Sequence, residues 1–117
     1  MQEKVAKYLN LLKIEMDDLI AGIEAGEMLL DKRLAEREIR DFVFLENLSV
    51  FKMELIGFKA MGKELDIQAE KAENVEHFKN HLDEFIKKRV HELGFPNAVY
   101  ELIKRKLEKI EKITISD

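Results

Sequence analysis

From Val5 onward, apolar residues recur at alternating intervals of four and three: Val5, Leu9, Leu12, Met16, Leu19, Ile23 and Leu30, with Gly26 filling the one position that is not apolar. Only an α-helix gathers such a set onto a single stripe, because a strand repeats every second residue and a helix about every 3.6. The spacing predicts a first helix over about residues 3–30. Asp31-Lys32-Arg33-Leu34 then reads as a connection, followed by an acidic turn, Glu36 and Glu38, that suits a new helix N-terminus.

The second segment repeats the pattern through Phe44, Leu48, Phe51, Leu55, Phe58, Gly62 and Leu65, predicting a helix over about 35–65. Phe42, Val43, Leu45, Val50, Met53 and Ile56 make this helix apolar in nearly every other direction as well. A helix apolar on several sides lies inside a core or against a partner, so it is read as the central helix. Between Gly62 and Asn74 the pattern is ambiguous, with Asp66 and Asn74 both able to cap a third helix. Val75, Phe78, Leu82, Phe85, Ile86, Val90 and Leu93 carry that third helix, placed at about 67–93. Gly94-Phe95-Pro96 is a strong break, since glycine ends helices and proline begins them. Val99, Ile103, Leu107 and Ile110 define a last helix over about 97–114.

The expected fold is therefore all-α: one domain over residues 1–117, an up-and-down antiparallel bundle of three to four long helices, completed by dimerisation if helix two has more apolar perimeter than its neighbours can cover. Phe42, Val43, Val50, Met53 and Ile56 are the expected interface. One proline among 117 residues, with Leu, Ile, Glu and Lys abundant, agrees with a helical chain.

The composition also narrows function. Without cysteine there is no disulfide, thiolate metal site or thiol nucleophile, and a reducing, cytoplasmic setting is expected. The most apolar stretch, residues 42–58, contains Glu46, Lys52 and Glu54, so membrane insertion is not expected. A net charge of −4 gives no general attraction to nucleic acid. The short cation runs Lys87-Lys88-Arg89 and Lys104-Arg105-Lys106 are interleaved with Glu84, Glu92, Glu101 and Glu108, which suits ion pairs on solvated faces better than a phosphate-binding stripe. Hydroxyl nucleophiles are limited to Ser49, Thr114 and Ser116, apart from tyrosines.

Two clusters could hold a metal. His77 and His81, one turn apart, could share Zn²⁺, yet they lie opposite the apolar face of Val75, Phe78, Leu82 and Phe85. His77-Phe78-Lys79-Asn80-His81 resembles one helix of hemerythrin-like oxygen carriers. That family needs five histidines, and this chain has His77, His81 and His91. The Glu-x-x-His motif of ferritin-like di-iron proteins does not occur. The second cluster is acidic: Glu24-x-x-Glu27 and Glu38-x-x-Asp41 would flank the first helix turn, and four carboxylates there could hold Mg²⁺. The arrangement resembles the all-α nucleotide pyrophosphohydrolases of the MazG type, which implies Mg²⁺-dependent hydrolysis of a nucleotide. It departs from them in lacking their adjacent double glutamate.

The leading expectation is a structural or protein-interaction bundle without catalytic activity or cofactor, forming a homodimer or docking another helical protein. A carboxylate-based nucleotide hydrolase and a histidine metal-sensor module are the alternatives.

Overall fold

The structure is a computed structural model that describes residues 1–115, with side chains described through Ile113; Ser116 and the Thr114 side chain, named above as hydroxyl candidates, lie outside this range. Four helices account for nearly all of it: α1 (Glu3–Ala35), α2 (Asp41–Glu70), α3 (Val75–Leu93) and α4 (Asn97–Ile115). They form an all-α bundle in which α1 packs on α2 and α4, and α3 packs on the same two, so consecutive helices are neighbours around a square.

Four boundaries differ from expectation, among them the start of the second helix, which lies at Asp41 rather than residue 35. The first helix runs on to Ala35, because Asp31-Lys32-Arg33-Leu34 contains no helix breaker and Leu30 and Leu34 extend the apolar stripe. It closes at Arg37, whose φ is +58°. The Arg37 N–H donates to the Leu34 carbonyl at 3.0 Å and the Glu38 N–H to the Arg33 carbonyl at 2.9 Å, the paired bonds of a Schellman turn, with arginine where glycine is usual. The second helix passes through Gly62 without a break and ends at Glu70. Asp66 is therefore inside α2, where it meets Lys13 of α1 at 2.7 Å. Asn74 is the cap of α3: its side chain accepts from the His77 N–H at 2.8 Å, and α3 starts at Val75 rather than residue 67. At the far end Gly94 takes φ +70°. The Gly94 and Phe95 N–H groups donate to the His91 and Val90 carbonyls, closing α3 by the same motif with the expected residue.

These boundaries make the helices unequal. Helices of 33 and 30 residues pair with two of 19 each, so α1 and α2 are about 50 and 45 Å long against about 28 Å for α3 and α4. The long dimension of the molecule, 52 Å, is the length of α1. The core lies where all four helices overlap. It takes Val5, Tyr8, Leu9, Leu12 and Met16 from α1, Phe58, Met61, Leu65 and Ala69 from α2, and one face each of α3 and α4. Beyond Met16 on α1, Leu19, Ile20 and Ile23 still pack against this core; past them, and before Phe58 on α2, the two long helices continue as a projecting arm.

Helix two is thus central only in its second half. Its first half is one side of the arm, and α1 contributes as much to the core as α2 does. Tyr8, outside the spacing that identified α1, is fully buried. It donates its hydroxyl to the Leu107 carbonyl at 3.1 Å and meets Phe78 edge-on with ring centroids 5.7 Å apart. Burial pushes its hydroxyl well above the ordinary tyrosine range.

Candidate interaction surface

The arm is two antiparallel helices with a seam between them and little else. Phe51 lies against Gly26, where an added Cβ would meet its ring at 3.4 Å. Lys52 and Glu27 pair across the flank at 2.8 Å. Leu30 is buried in the seam, and Leu19, Ile23, Phe44, Leu48 and Leu55 are half-buried.

What faces outward from the arm follows from the seven-residue spacing that carries each helix through the body. On α1, Tyr8 and Glu15 both reach α4: Tyr8 through Leu107, and Glu15 through Lys106 and Lys109 at 2.8 and 2.7 Å. The next two positions on that line are Gly22 and Leu29. On α2, Gly57 approaches the α3–α4 turn so closely that a Cβ there would lie 2.9 Å from Val99 and 3.3 Å from Phe95. One and two repeats earlier on the same line stand Val50 and Val43. The arm therefore presents, on the side where α3 and α4 would have continued, a face made of Gly22, Leu29, Val43 and Val50. A groove of about 240 Å³ runs along it, lined by Gly26, Leu29, Arg33, Ile39, Val43 and Asn47 among others. This inner face ends at the α3–α4 turn, where Leu93 is itself exposed.

The opposite, outer side of the arm is also apolar, with Met28, Phe42, Leu45 and Ile56 exposed by 73, 69, 62 and 54%. Of the residues expected at an interface, Phe42, Val50, Met53 and Ile56 are exposed and Val43 is half-buried in the groove. Sequence reasoning missed Met28 and Leu29, and counted Leu45 among the apolar directions of helix two without placing it at the interface. The consecutive apolar run Met28-Leu29-Leu30 was the available signal, since three successive positions on a helix cannot all face one side.

Glu54 stands at the foot of the inner face, one turn before Phe58. It is 9% exposed and makes no ion pair among the described residues. Loss of water around its carboxyl raises its pKa above the ordinary carboxylate range. Glu15 behaves oppositely: hydrogen bonds from Lys106 and Lys109 hold its carboxyl below that range, outweighing partial burial. The raised Lys106 ammonium completes the same pair.

The candidate metal ligands do not converge. Glu27 is engaged with Lys52 at 2.8 Å, Glu38 approaches Arg33 at 4.0 Å, and Glu24 and Asp41 are exposed. The His77 and His81 rings are neighbours, 5.2 Å between centroids. His77 Nδ1, however, accepts the Glu73 N–H at 3.2 Å, so that nitrogen serves the start of α3. Among the described residues no group of three or more His, Asp or Glu side chains is arranged to hold a metal ion, and none of the helices is long and apolar enough to cross a membrane.

Comparison with known proteins gives no match: no family model, curated protein or solved structure resembles the chain closely enough to carry an argument. Its class is defined by its own architecture, an all-α four-helix bundle from which the two long helices project.

Proposed function

We propose that this protein is a non-catalytic helical interaction module, with the four-helix body as its scaffold and the projecting arm as its working surface. The observation that carries this reading is the arm's exposed apolar surface. With ordinary side-chain areas of about 150–200 Å², Met28, Leu29, Phe42, Leu45, Val50, Met53 and Ile56 leave on the order of 700 Å² of apolar surface open, shared between the two sides of the arm. Two helices with a continuous seam match a helical partner best, because ridges of one helix pair fit grooves of another. A cysteine-free chain of this kind suits a reducing compartment such as the cytoplasm.

In-cell photo-crosslinking tests the reading. A photoreactive residue in place of Val50 should give discrete heavier species, weakened by Leu29→Lys, while the same residue in place of Lys104 on α4 should give none. Absence of any discrete adduct at Val50 would remove the arm's role.

A further inference from the structure

We infer that the inner face of the arm is covered by the same face of a second copy of this chain, laid antiparallel, so that two arms build a second four-helix bundle between two bodies. The inference rests on the interaction reading above and names the occupant. Three features of the structure select it.

The first is shape. Above Gly57 the inner face needs a layer two helices wide and about 24 Å long, sixteen residues on each helix. The arm itself has those dimensions.

The second is steric. Two copies can bring their inner faces together in parallel or antiparallel. In parallel, each copy's α3 and α4 would occupy the space needed by the other copy's α3 and α4. Antiparallel, each body lies beyond the other's tip, and the partner's Ile39, at the end of the inner groove, comes down onto the exposed Leu93 at the α3–α4 turn. The arrangement has a two-fold axis and closes at two chains.

The third is charge. Glu54 lies at the foot of the arm and Arg40, which has no ion pair among the described residues, at its tip. An antiparallel two-fold places each Glu54 at the height of the partner copy's Arg40, giving the buried carboxylate a cation it lacks among the described residues of its own chain.

The footprint, about 24 by 20 Å on each copy, corresponds to roughly 1,000 Å² of total buried surface once side-chain relief is included, the low end for specific association. A dimer with a micromolar dissociation constant is expected, weakening as salt rises.

Light scattering over about 1–200 µM spans that range. The weight-average mass should climb from 13.7 kDa towards twice that value. Val50→Lys on the inner face should hold it at the single-chain mass with an unchanged helical circular dichroism spectrum, and Leu45→Lys on the outer face should not. Because the chain has no cysteine, orientation can be read with a short bismaleimide. Asn47→Cys, near the two-fold, should link to itself. Val43→Cys should not, because its copies would stand about 12 Å apart along the helix axis, but it should link to Glu54→Cys in a mixture of the two variants, where the offset is about 4 Å. Self-linkage of Val43→Cys as readily as of Asn47→Cys would overturn the antiparallel arrangement. Loss of association with Leu45→Lys but not Val50→Lys would overturn the face. A chain that stays single at the highest concentration would overturn self-pairing altogether. Persistence of the Val50 photo-adduct with a different protein would then leave the interaction reading standing, and its absence would remove both.

Discussion

Replacing Gly57 by alanine sets two effects of opposite sign against each other at one atom. Glycine inside a helix costs about 1 kcal/mol relative to alanine, so the substitution begins with that gain. The added Cβ, however, would stand 2.9 Å from Val99 Cγ2 and 3.3 Å from both Val99 Cγ1 and Phe95 Cγ. Val99 is fully buried, and as a β-branched residue in a helix it has essentially one rotamer available, so it cannot swing aside. Relief must come from moving the α3–α4 turn away from α2, and forced overpacking of this kind costs typically 1–3 kcal/mol. The net expectation is a loss of about 1 kcal/mol. Gly62, five residues further along the same helix, has nothing within 4 Å of an added Cβ, and the same change there should add about 0.5–1 kcal/mol. Urea unfolding followed by circular dichroism at 222 nm would then separate the two variants by roughly 1.5–2 kcal/mol, with equal m-values. Val99→Ala should cost less in the Gly57→Ala background than in the native chain, a favourable coupling in a double-mutant cycle. Gly57→Ala as stable as Gly62→Ala would refute the close approach of the α3–α4 turn to α2.

Four further outcomes are expected. Arg37→Gly should raise stability by about 0.5–1 kcal/mol in urea, because arginine holds a left-handed conformation there that glycine adopts without strain. Tyr8→Phe should lower it by about 1 kcal/mol through loss of the buried hydroxyl's bond to Leu107. Glu15→Gln should destabilise at neutral pH: the folded carboxyl is held low by Lys106 and Lys109, so its contribution is present above the unfolded carboxylate pKa and disappears as pH falls through the lower folded value. Glu54→Gln carries the reverse sign. Its folded carboxyl is raised by burial, so it contributes most at low pH and loses that contribution as pH rises through the folded value; the glutamine variant should be more stable than the native chain at neutral pH, at concentrations where the chain is single, and equal to it in acid.

The helix faces were readable from the sequence because burial repeats with the helical period: Val5, Leu9, Leu12 and Met16 on α1 and Phe78, Leu82, Ile86 and Val90 on α3 stand where the spacing put them. The stop at Gly94-Phe95-Pro96 was equally plain, since its chemistry is local. The stop at Arg37 was not, because nothing in an arginine announces a left-handed residue, and without it the first helix was drawn five residues short. That error, with the early start given to α3, made the first three helices nearly equal and hid the arm. Phe42, Val50 and Ile56 were singled out by their number of apolar directions, a property of one helix. Which of those directions is open depends on where α3 and α4 end. Tyr8 and Gly57 owe their importance to partners 99 and 42 positions away, and no spacing within one helix reports such a contact.

The unbroken passage of α1 and α2 from body into arm also divides the protein's resistance to opening. Below Gly57 each helix is held from three directions; above it each has one neighbour and a seam. A two-helix unit of that size is marginal alone, so backbone amides should exchange with solvent in graded order, fastest near Arg37 and Arg40 and slowest around Leu12, Leu65 and Ile103. The tip is then also where a protease finds the chain first, at two exposed arginines in the same connection. Anything that covers the arm lengthens the lifetime of the whole molecule by guarding the place where it begins to come apart.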